Sequence, residues 1–192
     1  MKVCLTDIQL VYNSMKRTLK MLLVLISALS YSQNNSESDV FKKIIDHEIG
    51  KGSIGIYVQC KKSKTYFDQT IFKEETGLEV PEKILKEIEV NIVKSSNGIW
   101  NSELLNELNY GPVTIKSNKC LTEKEVEQIF KKTKKWQKII SISEPIFDNN
   151  YENCVVSINY WNFTEIASGS KYFLKKIYGL WTVIAEYEFL MT

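Results

Sequence analysis

After Lys135 the apolar residues stop recurring every third and fourth position and begin to alternate, and that change of period limits the chain to a few architectures. Lys138 to Phe147, Asn153 to Asn162, Ser170 to Ile177 and Leu180 to Leu190 read as four strands separated by turn-rich pieces, with Tyr178-Gly179 as a tight turn. In the last run Trp181, Val183, Ala185, Tyr187 and Phe189 fall on one face and Thr182, Glu186 and Glu188 on the other. Connections this short join antiparallel neighbours and leave no room for crossover helices, so a four-stranded C-terminal meander is expected.

Ahead of the meander the pattern is helical. Val40, Phe41, Ile44 and Ile45 form an apolar stripe on a helix from about Asp39 to Ile49, which Gly50 and Gly52 stop. Ile54, Ile56, Val58 and Cys60 alternate as a half-buried strand, expected to join the meander or lie at its edge. Thr65 to Thr76 fits either the second strand of a hairpin or, by a narrow margin, a short helix from about Gln69 capped by Asp68 and ended by Gly77. Pro81 suits the first turn of a firmer helix to Lys94, with Ile84, Leu85, Ile88 and Ile92 on its inner side. Ser102 can cap a short helix through Leu104, Leu105 and Leu108, and Thr122 with Glu125 makes a capping box for a helix to about Lys135. The expected fold is α+β: several helices packed on a mainly antiparallel sheet in a single domain over 33–192.

The N-terminal segment reads as an export signal. Lys16, Arg17 and Lys20 precede the apolar run Met21 to Leu29, and Ser30-Tyr31-Ser32 offers small residues for cleavage. A run of nine residues falls well short of the roughly 20 that span a bilayer, so residues 1–32 are expected to leave as a signal peptide with no transmembrane anchor behind. Residues 1–14, with Asp7 and no basic residue between Lys2 and Lys16, look like an over-extended start before Met15. The expected location is periplasmic or secreted.

Cleavage changes the charge. Of 25 basic and 23 acidic residues, Lys2, Lys16, Arg17, Lys20 and Asp7 precede Ser32, so the remainder carries a net charge of about −1. That removes the basic signature of a nucleic-acid binder. Arg17 is the only arginine and departs with the signal, which takes bidentate arginine recognition with it. Cys60, Cys120 and Cys154 remain, allowing one disulfide and one free thiol in an oxidising compartment. Cys60 at a strand end and Cys120 in a loop are the favoured pair, with Cys154 buried on the face of Val156 and Ile158.

Catalytic signals are sparse. His47 is the only histidine, which excludes multi-histidine metal sites, and with no serine or cysteine in a nucleophile-type motif a place on the helix edge is favoured. No catalytic residue, metal site or cofactor site is assigned. Carboxylate pairs remain: Glu144 with Asp148, and Glu186 with Glu188, which share a strand face and could line a sheet-walled pocket. Lys131, Lys132, Lys134, Lys135 and Lys138 form a basic cluster whose position at a helix C-terminus suits the helix dipole. Tyr160 and Trp161 are adjacent in a strand and face opposite ways, so one should lie near the surface; they are the candidate binding residues.

Ser143-Glu144-Pro145-Ile146-Phe147-Asp148, then Tyr172-Phe173-Leu174-Lys175-Lys176 and Gly179-Leu180-Trp181-Thr182-Val183-Ile184, resemble the C-terminal pattern of small secreted bacterial proteins of unknown function. In those an S-x-P-x-F-D segment precedes a meander closed by a K-x-x-G-x-W hairpin, and no activity is implied. Helices before a terminal meander are also similar in architecture to cystatin-like and nuclear-transport-factor-2-like folds. The expected function is a non-enzymatic binding or interaction domain, its partner an envelope or extracellular protein or a small ligand. The alternative is a small hydrolase or lyase using Glu186, Glu188 or Asp148.

Overall fold

The computed structural model describes residues 16–21, 36–52, 55–93, 95, 98–101, 104–108, 110, 115–117, 119–135, 137–162 and 165–189. The chain divides into two units, Met1–Glu37 and Ser38–Thr192. In the first, a short helix occupies 16–21. The rest of the expected apolar signal segment, from Leu22, and the cleavage position after Ser32 lie outside the described residues.

The second unit is built on one sheet. Helix α1 occupies 36–50, with Ser38 onward in this unit. There follow β1 (Tyr57–Val58), α2 (Gln69–Thr76), α3 (Glu82–Ile92), α4 (Leu104–Glu107), α5 (Glu123–Thr133), β2 (Ile139–Ile142), β3 (Ile146–Phe147), β4 (Asn153–Asn162), β5 (Glu165–Ile177) and β6 (Leu180–Phe189). The strands lie in the order β1-β2-β4-β5-β6, and β3 also pairs with β4. This is an α+β fold with a mixed, mostly antiparallel sheet ending in the meander β4-β5-β6.

The helix ends follow local chemistry. Asp68 accepts the Thr70 and Ile71 amides at 2.8 and 3.0 Å to start α2, and Gly77 ends it at φ 63°, where a side chain would be strained. Thr122 and Glu125 exchange the reciprocal hydrogen bonds of a capping box at α5. The apolar stripe of α1 (Val40, Phe41, Ile44 and Ile45) is wholly buried against one sheet face with Ile140, Val156, Ile158, Tyr172 and Leu174. Phe72 of α2 and Leu85 and Ile88 of α3 cover the other face over Val155, Phe173 and Tyr187. Leu121, Val126 and Ile139 make a third cluster under α5.

Three expectations about the strands are corrected. The segment after α1 has only two residues in a strand, Tyr57 and Val58, and they pair with β2 in parallel. Four helices intervene before β2, which supplies the long crossover that parallel pairing needs. It lies at the sheet edge as expected, with Ile56 and Val58 buried and Tyr57 half-buried, but the alternation ends at Gln59, which is buried with Cys60 where it bridges to Leu121 on the far side. The run from Lys138 to Phe147 is two strands rather than one, interrupted at Ser143–Pro145, where proline has no N–H for the ladder. Ser143 holds the break to β4 by donating its amide to the Ser157 carbonyl and accepting the Ser157 amide on Oγ, both at 2.9 Å.

The third correction concerns β6. Val183 pairs with Leu174 and Ala185 with Phe173, so Ile184 is an extra residue without a ladder partner, a β-bulge. One extra residue reverses the alternation. Trp181 and Val183 pack on the α1 side while Ala185 and Tyr187 pack on the α2–α3 side, so the single apolar face expected for the strand is split.

Candidate functional site

The bulge delivers Glu186 to the α1 face, directly opposite Tyr172 in the ladder. Above them ends α1, where His47 and Glu48 lie in the last turn and Lys51 just beyond it, with the Lys51 amide closing on the His47 carbonyl at 3.1 Å. Sheet and helix end together form a polar cluster at the margin of an otherwise apolar core.

Tyr172 is its centre. Its hydroxyl lies 2.7 Å from Glu48 Oε1 and 3.0 Å from Glu186 Oε1, and its one proton serves the two carboxylates. Lys51 Nζ donates to Glu186 Oε1 at 2.5 Å and Glu48 Oε1 at 3.2 Å, and sits 3.4 Å from the tyrosine oxygen. His47 Nε2 meets the other oxygen of Glu186 at 3.3 Å, and its ring stands edge-on to Tyr172. Tyr160, on the neighbouring strand β4, packs against the same core and couples electrostatically to Tyr172 and Glu48. The cluster grades from inside to outside: the Glu48 side chain is 1% exposed, that of Glu186 25%, His47 31% and Lys51 39%.

A buried carboxylate is tolerable only when paired and hydrogen-bonded, and Glu48 is both. The shared protons respond accordingly. Burial alone would weaken the hold of Lys51 on its proton, but the hydrogen bond to Glu186 and the charge of Glu48 reverse that and raise its pKa above the ordinary lysine value. Burial pushes Glu186 upward, and the hydrogen bonds from Lys51, His47 and Tyr172 outweigh it, leaving the carboxyl below its usual range. Burial, then the Glu48 charge, drives Tyr172 far above an ordinary phenol, and burial raises Tyr160 as well.

The residues singled out in the sequence fall as follows. Tyr160 is half-buried on the α1 face and belongs to the cluster, with Lys138 Nζ 5.6 Å from its ring centre. Trp161, also half-buried, is on the opposite face against the Leu121–Val126–Ile139 cluster, its indole N–H donating to Ser141 Oγ at 2.8 Å. The two therefore do not share a site. Glu186 is in the cluster; the Glu188 side chain lies outside the described residues. Asp148 is buried at a turn and accepts the Glu152 amide, the Asn153 amide and the Asn153 side-chain amide. Glu144 pairs with Lys62 at 3.4 Å, so these two carboxylates are engaged separately.

Cys60 and Cys120 are joined by a disulfide, with Cα atoms 4.8 Å apart, and Cys154 is a buried thiol whose pKa burial raises. Among the described residues no group of three or more His, Cys, Asp or Glu side chains is arranged to hold a metal ion, and no helix is long and apolar enough to cross a membrane.

Glu48, Lys51 and Tyr172 escaped the sequence reading. One signal was present: Glu48 continues the stripe Phe41, Ile44, Ile45 at helical spacing, so a carboxylate stands where an apolar residue is due. Lys51 follows three residues later, within reach of it. Comparison with family models, with curated proteins and with solved structures finds no match.

Proposed function

We propose that this chain is an exported, non-enzymatic binding domain whose recognition surface is the outer rim of the tyrosine-centred cluster: His47, Lys51 and Glu186, with Tyr160 beside them. Export rests on the basic and apolar pattern from Lys16 to Ser32, and the Cys60–Cys120 disulfide is compatible with an oxidising compartment. The observation that carries the binding reading is electrostatic. A general acid or base works best with a pKa near the operating pH, whereas Lys51 is driven up, Glu186 down and both tyrosines up. Each of these groups holds a fixed charge or hydrogen-bonding state across neutral pH, which suits a preorganised polar contact for an envelope protein or a small ligand.

The convergence of Glu48 and Glu186 on one hydroxyl supports a second reading, a carboxylate-dependent hydrolase or lyase. Lys51 weighs against it, since a salt bridge occupies both carboxylates. Pull-down from envelope extract with wild type, Glu186→Gln and His47→Gln separates the two. The binding reading expects one partner to be lost from both variants while thermal unfolding stays within a few degrees of wild type. Turnover of a glycoside or ester by wild type, abolished in Glu48→Gln and Glu186→Gln, would instead establish the enzyme. Trp161→Ala in the same pull-down tests whether the opposite face carries a contact of its own.

A further inference from the structure

The β5–β6 hairpin ends in an apolar tip that the fold does not need. Ile177 and Leu180 close the turn as a pair, and Tyr178 and Gly179 form it with φ of 51° and 81°. Both central residues at positive φ call for Asn, Asp or Gly, which are small and polar. Here a tyrosine takes the first position with its side chain fully in solvent, and Leu180 is 73% exposed. Burial elsewhere in the chain does not account for them: the inner residues of the hairpin, Leu174 and Trp181, already fill the core.

Two lysines flank the tip. Lys175 opposes Thr182 and Lys176 opposes Trp181, so they project from opposite faces of the hairpin, Lys176 with its ammonium 5.2 Å from the Trp181 ring centre. Glu152, exposed on the adjoining turn, is an acidic neighbour in the chain, and its carbonyl accepts the Lys176 amide at 2.7 Å. A convex tip with an aliphatic pair, an aromatic ring bearing a hydroxyl, and ammonium groups on both sides matches the layered chemistry of a bilayer surface, in which acyl chains lie beneath anionic headgroups.

We propose that residues 175–180 form a peripheral membrane contact that seats Tyr178 and Leu180 at the interface of an anionic phospholipid surface. The lysines pair with headgroup phosphates, and the aliphatic side chains enter the acyl boundary. Contact is shallow and reversible, set by few apolar side chains and by charge, and it weakens with salt.

The test is sedimentation of the whole chain with vesicles of phosphatidylcholine alone or with phosphatidylglycerol, together with a probe at the tip. Wild type is expected to bind the anionic vesicles, and Tyr178→Asn with Leu180→Thr to bind them roughly tenfold more weakly with unchanged thermal unfolding, because both positions are exposed. Glu152→Gln should strengthen binding. Because the apolar segment from Met21 could itself hold vesicles, Tyr178→Cys in a Cys4→Ser background is labelled with an environment-sensitive fluorophore. Emission should shift to the blue on anionic vesicles and not on neutral ones. Wild-type binding that the tip substitutions leave unchanged, or a label that stays in water while the protein sediments, would overturn the proposal.

Discussion

Tyr172 and Glu186 face each other across β5 and β6 with 3.0 Å between hydroxyl and carboxylate, and the contact exists because Ile184 is bulged out of the ladder. Were Ile184 to take a ladder place in an unbroken alternation, Glu186 would point to the α2–α3 side and Tyr187 would lie towards α1. The bulge thus assigns a polar residue to the helix end that can pair it and an aromatic residue to the Phe72 cluster that can bury it.

Deleting Ile184 should therefore leave the second unit folded with a cooperative transition, because Val183 opposite Leu174 and Ala185 opposite Phe173 then follow as regular pairs and Glu186 keeps its face. Ile184→Thr, which keeps the residue count at a position 37% exposed, should cost well under about 1 kcal/mol. Circular dichroism melts of the two variants decide the matter; loss of the cooperative transition on deletion would show that Ile184 holds a ladder place in solution and that its removal turns Glu186 to the other face.

Tyr172→Phe removes the hydroxyl that Glu48 and Glu186 share. Glu48 is buried and would keep only part of its hydrogen bonding, so a loss of roughly 1.5–3 kcal/mol is expected in urea unfolding. Adding Glu48→Gln to Tyr172→Phe should cost less than the two single effects combined, since the second substitution removes the stranded charge.

The pH dependence follows from two opposite shifts. Glu186 has a folded pKa below its unfolded value, so its contribution is present above about pH 4.3 and is lost as pH falls through the folded pKa. Lys51 has a raised folded pKa, so its contribution is present below about pH 10.4 and is lost only as pH rises beyond that, through the folded value. Between these limits the pair contributes a constant amount. Glu186→Gln should flatten the acid side of the stability profile relative to wild type; an unchanged acid limb would show that the ion pair makes no contribution in solution.

Reducing the Cys60–Cys120 bond opens a loop of 60 residues, and roughly 2–4 kcal/mol of stability should go with it. Cys154 should react with a thiol reagent only after unfolding, since burial both hides it and disfavours the thiolate. Mass mapping before and after denaturant reads out both effects; native-state labelling of Cys154 would contradict the packing of β4.

The sequence alone determined what depends on a few neighbouring residues. Asp68 and Gly77 bound α2, Thr122 and Glu125 start α5, and the stripe of α1 and the turn at Tyr178-Gly179 lie where periodicity and turn chemistry put them. These are interactions over one to four positions, and their energies are local. Tertiary structure decided the rest. The parallel partner of β1 lies some 80 residues away, beyond four helices, and no local pattern names it. The face of Glu186 depends on which residues of β5 its strand pairs with, since a single unpaired position reverses all that follow. The cluster itself joins a helix end to three strands, and a buried Glu48 becomes stable only where Tyr172 and Lys51 arrive together.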